Sequence, residues 1–159
     1  MRLYEAMTLN PQTISLQATV RDAALLMQEQ NVGILPVMEN DAPIGVVTDR
    51  DLALRALTQS NDPSNLPISE VMTPEILWMY EDEYLDDAIE AMIDRKISRL
   101  LVKNRSGKLI GILSAADIST ISARKRVGDL MSALGGTYRQ NHIATAAVRV
   151  GESSTKQLI

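Results

Sequence analysis

Hydrophobic positions along this chain change period in a fixed order, and the same order runs through the chain twice. Gln12 to Leu16 and Ile76 to Tyr80 read as short extended segments. Apolar residues at helical spacing follow each: Val20, Ala23, Ala24 and Met27, then Leu85, Ala88, Ile89, Met92 and Ile93. Thr19 and Tyr84 precede these helices, and acidic residues crowd their first turns, where the helix dipole favours negative charge. Two hairpins are predicted next: Ile34 to Met38 with Ile44 to Thr48, and Leu100 to Lys103 with Leu109 to Ser114. A second helix then opens at Asp49 and again at Ala115. The predicted order is strand–helix–strand–strand–helix, repeated.

The repeat is visible residue by residue. Glu5-Ala6-Met7-Thr8 returns as Glu70-Val71-Met72-Thr73, an offset of 65. Val20-Arg21-Asp22-Ala23 returns as Leu85-Asp86-Asp87-Ala88, and Asn31 to Val37 returns as Lys96 to Val102, at the same offset. Gly45-Val46-Val47-Thr48-Asp49-Arg50-Asp51 then pairs with Gly111-Ile112-Leu113-Ser114-Ala115-Ala116-Asp117 at an offset of 66. The slip falls between Asn40-Asp41 and Asn104-Arg105-Ser106-Gly107, which are turn sequences, and surface turns accept insertions. This divides the chain into a first repeat over 1–60, a Pro- and Asn-rich linker over 61–67, a second repeat over 68–126, and a C-terminal helix and tail over 127–159. A unit of about 50 residues buries too little apolar surface to be comfortable alone, so the two are expected to pack sheet to sheet and share a core.

Composition narrows the function classes. The 159 residues include no cysteine and no Phe, with 45% hydrophobic and 3% aromatic residues. The core must therefore be aliphatic, and disulfides, Cys-ligated zinc and thiol nucleophiles are excluded. One histidine, His142, excludes histidine dyads and multi-histidine metal sites. A net charge of −4 argues against a broad grip on nucleic acid. No signal-like N-terminal run and no stretch of about 18 apolar residues is present, so a cytoplasmic location without a membrane span is expected. Arg124-Lys125-Arg126 closes a helix, where basic residues suit the dipole, and Gly151 to Ile159 reads as a disordered tail.

The Met-Thr segment, the Leu-Pro-Val strand and the Gly-h-h-Thr/Ser-x-x-Asp turn (h apolar, x any residue), in tandem over about residues 3 to 122, resemble the cystathionine-β-synthase (CBS) domain. Two in a row resemble a Bateman module. The resemblance implies an α/β fold of two β-α-β-β-α repeats, each a small three-stranded sheet with two helices, packed with pseudo-two-fold symmetry. It also implies a homodimer built through helices of the repeats. The ligands it implies are AMP, ADP, ATP or S-adenosylmethionine, held in crossed clefts between repeats, with no cofactor required. Regulation of a partner protein is the implied output, with that partner unspecified.

The motif has a chemical logic of its own. A carboxylate can accept two charge-assisted hydrogen bonds from a ribose diol, and free N–H groups at a helix start suit a phosphate. Thr48-x-x-Asp51 and Ser114-x-x-Asp117 also have the spacing of ordinary capping boxes, and the two roles are compatible. Carried onto this chain, one cleft (cleft A) joins Thr48, Arg50 and Asp51 to Leu77, Trp78, Ile97, Ser98, Arg99 and Leu101. The other (cleft B) joins Ser114 and Asp117 to Gln12, Thr13, Val32, Gly33, Ile34 and Pro36. The two differ in charge: repeat 2 has Arg99 where repeat 1 has Ile34, and Arg50 has Ala116 as its counterpart. Cleft A is therefore expected to take the phosphorylated ligand, and cleft B either to stay empty or to take a less charged adenosine compound such as S-adenosylmethionine. No nucleophile–base pair supports an enzyme. The rival to a nucleotide sensor is a ligand-free dimerisation or scaffold module in which both motifs are only caps.

Overall fold

The computed structural model describes residues 1–74, 76–121 and 126–135. The two predicted extended segments are shorter than expected, β2 being Ile14–Ser15 and β6 Trp78–Tyr80, and two short strands appear that the pattern did not predict, β1 (Thr8–Leu9) and β5 (Thr73–Pro74). The hairpins are β3 (Ile34–Glu39) with β4 (Ala42–Thr48), and β7 (Arg99–Lys103) with β8 (Leu109–Ser114). Asn40 and Asp41 both take the left-handed conformation that a two-residue hairpin turn requires, at φ 48° and 63°. The second hairpin turns more widely, through Gly107 at φ 86°, while the Asn104 side-chain oxygen accepts from the Ser106 and Lys108 amides. Gly45 lies opposite Val37 and Gly111 opposite Val102, so the one-residue slip sits in these turns.

Helices Val20–Gln30 and Leu85–Arg95 bury Val20, Ala23 and Met27, and Leu85, Ala88, Ile89 and Met92, respectively. Ala24, expected on the buried stripe, is exposed, one step around the helix from Ala23. Thr19 caps the first helix, accepting from the Asp22 amide while Asp22 accepts from the Thr19 amide; Tyr84 makes no side-chain cap on the second. The next helix of repeat 1 runs as α over Asp49–Asp51, widens to π over Leu52–Ala56 and closes as α over Leu57–Gln59. Its counterpart, Ala115–Ile121, is α throughout.

The sheets hold four strands rather than three. β2 pairs parallel with β3, β3 antiparallel with β4, and β4 with β5; β6 pairs parallel with β7, β7 antiparallel with β8, and β8 with β1. The added strands are the two Met-Thr segments, and each has crossed to the edge of the other repeat's sheet. The residues just before them cross as well. Leu3, from the N-terminal turn, is fully buried in the core of repeat 2, and Ile68 and Val71, from the short helix Ile68–Val71, are fully buried in that of repeat 1. The segment expected as a linker runs along the first helix: the Val20 amide donates to Leu66, and the Ile68 amide to Ala18.

A third cluster lies between the sheets, where Val46, Leu101, Leu109 and Ile112 meet Ile34, Met38 and Ile76. The repeats are thus joined by a shared apolar layer and by two exchanged entry segments. Residues 126–135 are helical and place Leu130 in the repeat 2 core, and Arg126 pairs with Asp86. Arg124, Lys125, His142 and the tail 151–159 lie outside the described residues. Among those described, no helix is long and apolar enough to cross a membrane.

Candidate functional site

Both Thr/Ser-x-x-Asp turns form closed capping boxes. The Thr48 amide and hydroxyl donate to Asp51 Oδ2 at 2.9 and 2.8 Å, and the Asp51 amide returns a bond to Thr48 Oγ1 at 3.2 Å. Ser114 and Asp117 repeat this at 2.8, 2.5 and 3.2 Å. A carboxylate has about four acceptor sites, so each Asp keeps capacity on Oδ1.

What meets that second oxygen differs. Arg55, one turn on, brings its Nε to 3.4 Å from Asp51 Oδ1, and its Nη1 donates to the Val71 and Met72 carbonyls and to Thr73 Oγ1. Arg55 therefore ties the first motif to the crossing strand β5. At the matching position repeat 2 has Ile121, which is exposed, and among the described residues Asp117 Oδ1 meets a long contact from Thr8 Oγ1 at 3.4 Å. The motif glycines serve the same crossing. A Cβ on Gly45 would stand 2.4 Å from the Thr73 carbonyl oxygen, and one on Gly111 would stand 2.4 Å from Met7 Sδ. Their absence of side chain is what lets β5 and β1 pair.

Two clefts open beside these boxes. Cleft A has a volume of about 590 Å³ and cleft B about 320 Å³, both within the range of roughly 300–1,000 Å³ common for ligand sites. Cleft A brings together Thr48, Arg50 and Asp51 with Leu77, Ile97, Ser98 and Arg99. It also has Arg95 and Lys96, which sequence reasoning missed, so four cations face two carboxylates, Asp49 and Asp51. A signal for Lys96 existed. It takes the left-handed position after the helix at φ 53°, as Asn31 does at φ 52°, and lysine is a poor residue for that conformation. Cleft B gathers Ser114, Asp117, Gln12, Val32, Gly33 and Ile34, together with Thr8 and Arg99. Arg99, Gly33 and Ile34 line both clefts.

Four expected residues stand elsewhere. Leu101 and Pro36 are buried within their strands, and Thr13 is exposed in a separate groove of about 820 Å³ between the two hairpin tips. Trp78 lies outside the lining of cleft A. It is 42% exposed, meets Tyr80 edge to face at 5.2 Å, and has Lys103 Nζ 4.4 Å from its ring centre. Beside it Arg105 stacks on Tyr80 and pairs with Asp82, whose carboxyl that guanidinium holds below its ordinary range. Trp78 is therefore part of a surface cation–aromatic cluster at a sheet edge.

The family model for the CBS domain matches the chain twice, over residues 3–57 and 68–124. The chain belongs to the CBS domain family. As a tandem CBS pair it is 36% identical over 115 residues to the CBS domain-containing protein YhcV of Bacillus subtilis, covering 72% of this chain and 81% of YhcV. Among solved CBS structures it is similar to CBSX2 in complex with AMP, at 29% identity and TM-score 0.63, over 75% of this chain and 93% of that one. It is also similar to the CBS domain pair of protein MJ0100 in complex with 5′-methylthioadenosine and S-adenosyl-L-methionine. That match has 25% identity and TM-score 0.67, over 76% of this chain and 94% of that one.

Proposed function

We propose that this CBS pair is a regulatory sensor that binds an adenosine nucleotide (AMP, ADP or ATP) in cleft A and signals by a change of conformation or oligomeric state. The observation that carries the reading is the charge of cleft A, where Arg50, Arg95, Lys96 and Arg99 surround one apolar-walled space. Arginine's planar fork suits phosphate oxygens, and Ile76, Leu77 and Ile97 supply surface for a base. In this reading Asp51 Oδ1, which also meets Arg55, accepts from the ribose diol, and the adenosine compounds bound by CBSX2 and MJ0100 support this class of ligand. Cleft B, with Arg99 and Asp117 as its ionisable lining, suits a less charged adenosine compound such as S-adenosylmethionine. In this reading the chain performs no catalysis, works in the cytoplasm as a homodimer, and passes its signal to a partner protein.

A differential-scanning panel of AMP, ADP, ATP and adenosine on the full chain tests it. Ligand at about 100 times its dissociation constant raises stability by about 2.7 kcal/mol, and Arg99→Ala reduces that shift. A panel without any shift removes the sensor reading. The rival, a ligand-free scaffold, draws support from Asp51 being held by Thr48 and Arg55; it expects dimerisation that ignores nucleotide and fails when the apolar helix face around Ile93 is changed.

A further inference from the structure

The two clefts are separated by a thin wall, and that wall carries one charge. Gly33, Ile34 and Arg99 are common to both linings. Arg99 opens β7 opposite Ser114, the cap residue of cleft B, while the residues just before it, Ile97 and Ser98, line cleft A. Ile34 holds the equivalent place in repeat 1, opposite Thr48, and offers no donor. The pseudo-symmetric molecule therefore has two phosphate-facing positions in form and one in substance.

We propose that the clefts compete for Arg99, so that binding of a phosphorylated ligand in one weakens binding of a second phosphorylated ligand in the other. This rests on the reading that adenosine compounds enter these clefts. A guanidinium presents its donors in one rigid plane, and a bidentate grip on a phosphate commits one orientation of that plane. With Arg99 turned into cleft A, the ionisable lining left to cleft B among the described residues is Asp117, which repels phosphate. With Arg99 turned into cleft B, cleft A keeps Arg50, Arg95 and Lys96. The coupling is reciprocal by linkage, yet it falls on cleft B in practice because cleft A retains the stronger field. A neutral nucleoside does not require Arg99, so adenosine in cleft B is indifferent to a nucleotide in cleft A. The pair is thus built to hold one phosphorylated and one uncharged ligand together.

Calorimetric titration of the full chain at about 0.15 M salt, where the Debye length of about 8 Å screens direct repulsion between ligands, reads this coupling. AMP is the anionic probe and adenosine the neutral one. Arg50→Glu with Arg95→Glu, both at exposed positions, closes cleft A to AMP and leaves Arg99 in place. The AMP event remaining in cleft B is then expected to be about 5- to 150-fold tighter than the second event in the native chain, the usual span of coupling between sites. In an Arg99→Ala background that gain disappears, and adenosine, displaced by AMP from cleft A, binds cleft B of the AMP-loaded native chain as tightly as cleft B of the free chain. Equal, independent AMP events in the native chain overturn the competition, as does a tighter second event, which indicates one arginine bridging two phosphates. A cleft-A-closed variant that binds no AMP overturns it too. Absence of any binding by AMP or adenosine to the native chain overturns the nucleotide reading itself, so the two failures are distinct.

Discussion

Repeat 1 and repeat 2 build the same turn from the same motif, and they secure it by different means. In repeat 1, Arg55 gathers Asp51, two backbone carbonyls and Thr73 into one charged knot. In repeat 2 the equivalent face carries Ile121, and the crossing strand β1 reaches Asp117 only through a long hydroxyl contact. The same contrast runs through the glycines, since Gly45 is closed in by backbone and Gly111 by a flexible methionine. A duplicated fold keeps its topology while one copy closes its turn with charge and backbone and the other with a hydroxyl and a thioether side chain. The charge-tied copy contributes its Asp to the strongly cationic cleft.

The glycine contrast gives the largest expected effect. Gly45→Ala drives a Cβ into the Thr73 carbonyl oxygen, so β5 must shift, at a cost of about 1–3 kcal/mol typical of overpacking. Gly111→Ala costs less, because Met7 can swing aside and the nearest backbone atom, the Thr8 oxygen, is 3.1 Å away. Urea midpoints of the two variants check the order, and equal losses would erase the distinction between the crossings. Arg55→Met comes next. Losing charged hydrogen bonds to partly buried acceptors should cost about 1.5 kcal/mol, whereas Ile121→Ala at an exposed site should stay within about 0.5 kcal/mol. A large loss from Ile121→Ala measured in the full chain would point to a covered face in repeat 2.

The smallest effect concerns the first helices. Thr19→Ala removes a helix cap, worth about 1 kcal/mol, while Tyr84→Ala, where no side-chain cap exists, does not lose that contribution. The Thr19 amide and then its hydroxyl hold the Asp22 carboxyl below its ordinary value of 3.8. A lowered carboxyl stabilises the fold above that ordinary value, and its contribution is lost as pH falls through the lowered pKa. The difference between native and Thr19→Ala melts should therefore shrink on acidification below about pH 4; a difference that grows would contradict the box.

The features legible in the sequence were those contained in a single local window. Asn40-Asp41 announced a tight turn, Thr19 and Asp22 a helix start, and the tandem Gly-h-h-Thr/Ser-x-x-Asp turns both hairpins and both boxes. The crossing of the Met-Thr segments was not legible, because pairing across repeats depends on which free sheet edge each segment reaches. Local pattern gave no hint of the fourth strand, although the motif glycines, with no side chain of their own to place, mark where it passes. The placement of Trp78 was misjudged for a related reason: on an outermost strand its register does not say whether it faces a cleft or the rim. Arg95 and Lys96 were missed because they close the preceding helix, while the expected cleft wall began one residue later, at Ile97.

Amide chemical-shift mapping of the full chain with ATP tests the central claim most directly, because it reports both turns in one experiment. The account predicts the largest shifts at Thr48 to Asp51 and Lys96 to Arg99, with the second turn, Ser114 to Asp117, changing less. Dominant shifts at Ser114 to Asp117 and Asn10 to Gln12, or no shifts at any nucleotide concentration, would contradict it.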